Sequence, residues 1–96
     1  MTDQAKRLHA VVHGKVQAVS FRYFTLRAAQ PLGITGWVRN RFNGTVEIIM
    51  EGEEHNLEKL LEIVRHGPPS SNVSMVDHNW ESVTGDFKKF KIRMTG

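Results

Sequence analysis

Leu57, Leu60, Leu61 and Val64 fall at i, i+3, i+4 and i+7, a period that only an amphipathic helix satisfies. Glu53 and Glu54 stand at the positive end of this helix and Arg65 and His66 at its negative end, while Gly67-Pro68 stops it. A single apolar stripe has to be covered, and the stretches on either side supply a sheet. Trp37 to Phe42 and Thr45 to Glu51 read as two strands joined by Asn43-Gly44, the pair favoured in a type I′ hairpin turn. Val73 to Trp80 reads as a further strand, Ser82 to Asp86 as a turn, and the last strand carries Phe90 and Ile92 inward. Near the N-terminus, Leu8, Ala10 and Val12 alternate with His9, Val11 and His13 as in a strand. Phe21, Phe24, Thr25, Ala28 and Leu32 then recur at helical spacing, and Pro31 and Gly33 end that helix near Gln30. The order strand, helix, strand, strand, helix, strand, with a short additional C-terminal strand, predicts an α+β two-layer sandwich of the split βαβ type. Both helices are expected on one face of an antiparallel sheet.

At 96 residues the chain is read as one domain, 1–96. It contains no cysteine, which excludes a disulfide framework, zinc–thiolate and iron–sulfur sites, and cysteine nucleophiles. The N-terminus lacks an apolar signal core and no apolar run is long enough to span a bilayer, so a soluble cytoplasmic protein without membrane association is expected. The formal net charge of +3 permits anionic partners, but the basic residues are scattered, which allows nucleic acid without indicating it. Five histidines are present, yet His9, His13, His55, His66 and His78 match no metal-ligand spacing, and no metal or other cofactor is expected. Glu47, Glu51, Glu53, Glu54, Glu58 and Glu62 read as solvated strand and helix faces.

The stretch Gly14 to Arg22, Gly-Lys-Val-Gln-Ala-Val-Ser-Phe-Arg, lies between the first strand and the first helix. Ser20 is placed as the N-cap. The loop thus ends at a helix N-terminus, where unpaired backbone N–H groups and the dipole favour a phosphate or carboxylate. Arg22 falls in the first helical turn, where its guanidinium fork can hold two phosphate oxygens.

Gly14-x-Val16-Gln17-x-Val19-x-Phe21-Arg22, Leu32-Gly33-x-x-Gly36-Trp37-Val38-x-Asn40, Gly44-x-Val46-Glu47 and Gly52 together resemble the acylphosphatase signature, and Gly67-Pro68 and Phe90-x-Ile92 also fit it. The resemblance implies a ferredoxin-like fold and hydrolysis of a carboxyl-phosphate anhydride to carboxylate and inorganic phosphate, without a metal. It implies that Arg22 and Asn40 form the catalytic pair. The arginine would hold the phosphate with backbone N–H groups of Lys15, Val16, Gln17, Ala18, Val19, Ser20 and Phe21, and the asparagine would orient the attacking water. The substrate would be a small acyl phosphate and the protein a monomer, the lysines around the last strand discouraging edge pairing. The sequence departs from the pattern at Ala18, where the family usually has a second glycine. If that position needs φ > 0, a Cβ costs about 1–2 kcal/mol and distorts the cradle, which predicts slower turnover than in a glycine-loop relative.

Two other readings stay open at this point. A domain with this loop could bind phosphate or other anions with weak or silent catalysis. Trp37, with Arg39 and Arg41 at the same parity, could instead stack and hold RNA on a ferredoxin-like sheet. The aromatic strand motif of RNA-recognition modules is absent, however, and Glu47 and Glu51 would repel a phosphate backbone.

Overall fold

The computed structural model describes residues 4–17 and 20–96. Its elements are β1 (Ala5–Lys15), α1 (Phe21–Ala29), β2 (Thr35–Asn40), β3 (Val46–Glu53), α2 (Glu54–His66), β4 (Asn72–Glu81) and β5 (Phe90–Ile92), with a 3₁₀ turn at Gln30–Leu32. The strands form one sheet in the order β4-β1-β3-β2-β5. Both helices cover one face: α1 packs on β2 and β5, α2 on β1, β3 and β4, and the helices touch each other. This is the α+β, ferredoxin-like two-layer sandwich expected from the order of elements.

The core follows the two periodicities. Leu8, Ala10 and Val12 of β1, Val38 of β2, and Val46, Ile48 and Met50 of β3 point toward the helices and are fully buried. They meet Phe21 and Ala29 of α1 and Leu57, Leu60, Leu61 and Val64 of α2 in one cluster. In α1 the fully buried side chains are Phe21, Thr25 and Ala29, while Ala28 and Leu32 are only partly buried against the cluster. Thr25 can be buried because its hydroxyl donates to the Phe21 carbonyl at 2.9 Å. Among the described residues, no helix is long and apolar enough to cross a membrane.

Three local expectations are corrected. The sheet is mixed rather than antiparallel, because β5 pairs with β2 in parallel. The chain leaves β4 at one edge and reaches β5 at the other, a distance of about 19 Å at ordinary strand spacing; β5 then runs back along β2. Ile92 shares the inward parity of Phe90 but is 40% exposed against 5%, so only the first residue of β5 joins the core. The hairpin between β2 and β3 is not type I′, which needs φ > 0 at both central residues. Gly44 has φ 91° but Asn43 does not have positive φ. The Gly44 N–H donates to Arg41 O and the Arg41 N–H to Thr45 O, a three-residue loop in which Asn43 Oδ1 accepts from the Thr45 N–H and hydroxyl.

Candidate active site

Strand register places Asn40 at the end of the sheet where β1 leads into the loop that precedes Arg22 on α1. Val46, at the start of β3, is flanked by Val12 of β1 on one side and Asn40 of β2 on the other. Beyond Val12, β1 is bulged between His13 and Gly14. Gly14 has φ 120°, and a Cβ there would collide with the Asn72 carbonyl, so only glycine lets the chain turn against β4 at this point. The loop that follows is anchored at both ends by burial of Val16 and Phe21. Its middle is tied across to the hairpin: Gln17 Nε2 donates to Arg41 O at 2.7 Å and to Thr45 O at 2.8 Å. Because Arg41 directly follows Asn40, one side-chain amide fixes the loop beside the end of β2. Sequence reasoning gave Gln17 only a backbone role; a polar side chain set between Val16 and Ala18 was the available signal.

The α1 terminus carries the positive potential expected of it. The Phe24 N–H is the first to bond back, to Ser20 O at 2.9 Å, which leaves the N–H groups of Phe21, Arg22 and Tyr23 without a helical partner. No acidic residue lies in this first turn. Arg22 is half-buried there, and among the described residues its guanidinium makes no ion pair, in contrast to Arg7, Arg39, Arg41 and Arg65. On β2, Asn40 Oδ1 is buried and accepts no hydrogen bond, while the Asn40 backbone carbonyl accepts from the Gly96 N–H at 3.0 Å. A buried amide oxygen without a donor carries a desolvation cost of about 1–3 kcal/mol. An unneutralised guanidinium, free helix N–H groups and an amide oxygen lacking a donor are what a tetrahedral anion and a water could satisfy.

Ser20 occupies the N-cap position but does not cap with its side chain, contrary to expectation. It adopts φ 61° and ψ 27°, a left-handed conformation, and its hydroxyl makes no capping bond. The β-region backbone that aims a capping oxygen at the N2 or N3 N–H is therefore lost. Among the described residues it is the only non-glycine with positive φ, so the loop does hold strain, of the order of about 1–2 kcal/mol. Ala18 and Val19, including the strain expected at Ala18, lie outside the described residues. Lys15 ends β1 and is exposed.

The opposite face of the sheet holds a second polar cluster, where two glutamates read as solvated are in fact buried. Long side chains of the flanking strands lie over Glu47 and the segment leading to β5 lies over Glu51, and the two glutamates are only 7% and 3% exposed. Glu47 accepts from His9 Nε2 at 2.8 Å and from Arg39 Nε at 2.9 Å and pairs with Arg41 at 3.1 Å. Burial alone would raise its pKa, but the His9 and Arg39 hydrogen bonds and the charges of Arg39 and Arg41 outweigh it and hold the carboxyl below its ordinary value. A folded-state pKa below the unfolded one contributes stability above about pH 4.5 that is lost as pH falls through the folded value. Glu47→Gln is therefore expected to cost about 1–3 kcal/mol at pH 7. The gap between the wild type and this variant in urea denaturation should narrow toward pH 3.

Comparison with known proteins gives the family and supports the fold. The family model for acylphosphatase matches residues 8–92. The chain is 50% identical over 86 residues to the acylphosphatase of Pelotomaculum thermopropionicum, covering 90% of this chain and 94% of that one. It is 49% identical over 85 residues to the acylphosphatase of Acaryochloris marina, covering 88% and 90%. The crystal structure of acylphosphatase from Bacillus subtilis superposes with a TM-score of 0.88 at 35% identity, covering 92% of this chain and 98% of that one. With sequence, fold and register in agreement, the chain belongs to the acylphosphatase family.

Proposed function

We propose that, in the hydrolysis of small acyl phosphates performed by this enzyme family, Arg22 and the loop N–H groups from Lys15 to Phe21 hold the phosphate and Asn40 orients the water. The observation that carries this reading is the pairing of an ion-pair-free Arg22 with the undonated, buried Oδ1 of Asn40 at the same end of the sheet. An acyl phosphate leaves as a carboxylate, which is stable as the anion at neutral pH, so no general acid has to protonate it. The protein's tasks are to hold the dianion, to stabilise charge on its oxygens in the transition state and to place water in line. Asn40 Oδ1 accepts a hydrogen bond from one O–H of the water, whose proton stays on that oxygen, and aims the water oxygen at phosphorus. The new P–O bond forms as the bond from phosphorus to the acyl oxygen breaks, and the water's second proton passes to a phosphate oxygen. Asparagine is not a base, and none is required.

The charges of Lys91 on β5, and of Lys88, Lys89 and Arg93 beside it, favour a monomer by discouraging edge pairing. Inorganic phosphate, the product, tests the cradle. It is expected to inhibit hydrolysis of benzoyl phosphate competitively in the presence of a chelator, whereas inhibition that leaves KM unchanged would move the phosphate site elsewhere.

A further inference from the structure

We propose that the open face of the sheet carries a second anion site, separate from the catalytic cradle, for a compact polyphosphate: a chain of two or three phosphates, free or as the tail of a nucleotide. A groove of about 560 Å³ lies between β2 and the segment that crosses from β4 to β5, lined by Trp37, Phe87, Lys88, Lys89, Lys91 and Arg93, with Asp86 as its one carboxylate and Gly36 at its base. Four basic side chains against one acidic give an excess of three, equal to the formal charge of the entire chain. Among the described residues none of these four is ion-paired, whereas His9, His13, Arg7, Arg39 and Arg41 on the same face are each matched to a carboxylate. Arg7 pairs with Glu51 and Glu81, and Arg39 and Arg41 share Glu47, so the unpartnered cations of β2 and β5 are gathered around this groove.

The walls are held in place independently of any ligand. Glu51 accepts from the Thr84 N–H and hydroxyl and from the Gly85 N–H at 2.8–3.0 Å, pinning the crossing segment over the end of β3. Arg7 lies over the Phe87 ring. Backbone bonds from Gly36 N–H to Lys89 O and from Arg93 N–H to Val38 O fix the other side. A preformed basic groove avoids the ordering cost that weakens binding by mobile lysines.

Size and electrostatics favour a compact ligand over a polymer. The guanidinium carbons of Arg39 and Arg93 stand 5.0 and 4.9 Å from the centre of the Trp37 ring, so the ring's surroundings are already occupied by cations rather than open for a base to stack. A nucleic-acid strand leaving the groove across the sheet would meet the exposed carboxylates of Asp77 and Glu81 on β4. A short polyphosphate can take charge-assisted hydrogen bonds from several of the four cations within the groove. Trp37 alternates with Val38 and Asn40 along β2, so the groove and the Asn40 side chain lie on opposite faces.

The test is calorimetric titration of the intact protein with tripolyphosphate, monophosphate, adenosine triphosphate and a 20-nucleotide single-stranded RNA. Tripolyphosphate is expected to bind at least tenfold more tightly than monophosphate. Its binding should persist in Arg22→Ala, and its affinity should fall at least tenfold in Lys89→Glu/Lys91→Glu. That double variant should still hydrolyse benzoyl phosphate at the wild-type rate, which establishes that it is folded. Adenosine triphosphate binding more tightly than tripolyphosphate would make the ligand a nucleotide, and equal affinity an inorganic polyphosphate; both support the site. Absence of binding, loss in Arg22→Ala with retention in the double variant, or tighter groove-dependent binding of the RNA would each overturn it.

Discussion

Arg22→Ala is expected to lower kcat/KM for an acyl phosphate by about 10³–10⁵, the range an arginine supplies when it stabilises a phosphoryl-transfer transition state. The fold should lose little. Arg22 is half-buried and makes no ion pair among the described residues, and alanine is the better helix former, so the change in unfolding free energy should stay within about 0.5 kcal/mol. Arg22→Lys refines the test, since it keeps the charge but loses the planar fork that engages two oxygens at once. Its activity should fall well below the wild type while exceeding that of Arg22→Ala. A large drop in thermal stability in either variant would make Arg22 a structural residue and sink the assignment.

Asn40→Ala should act on kcat rather than KM, because the amide is assigned to the water and not to the substrate. Removal of one preorganised polar group from a transition state costs about 10²–10³ in kcat. The structure adds an unusual expectation for stability. Asn40 Oδ1 is buried without a donor, so deleting it removes an unsatisfied group, and Asn40→Ala should melt at the same temperature as the wild type or higher. The backbone pairing of this position, to Val46 and to the Gly96 N–H, does not depend on the side chain. Loss of activity together with gain of stability is the signature of a group kept for its chemistry. A variant that melts markedly lower with unchanged kcat would contradict the role.

Much of this was legible in the sequence because local patterns and global packing agree. The stripe Leu57, Leu60, Leu61 and Val64 is buried as its period requires, and the alternation of Leu8, Ala10 and Val12 points to the helices as expected. The candidate pair Arg22 and Asn40 came from spaced motifs, and register sets Asn40 next to the end of β1, since β1 and β2 both flank β3 at Val46. What the sequence concealed depended on long-range placement. Glu47 looks solvated in an alternating strand, but His9, Arg39 and Arg41, brought beside it by the neighbouring strands and the hairpin, reach over it. The parallel pairing of β5 depends on where the crossing segment goes, which Glu51 decides by gripping Thr84 and Gly85. The turn at Asn43-Gly44 was misread because the pair suits two hairpin geometries, and a three-residue loop wins where Asn43 bonds to Thr45. Ser20 has a favourable capping side chain, yet its backbone is left-handed and its hydroxyl makes no capping bond.

The central claim is that water held by Asn40 attacks phosphorus held by Arg22 and the loop. The most direct measurement is hydrolysis of benzoyl phosphate in ¹⁸O-labelled water, with excess enzyme and a chelator, followed by mass analysis of both products. One ¹⁸O atom in the inorganic phosphate and none in the benzoate is the predicted result. Label in the benzoate would mean attack at the carbonyl carbon and would contradict the mechanism.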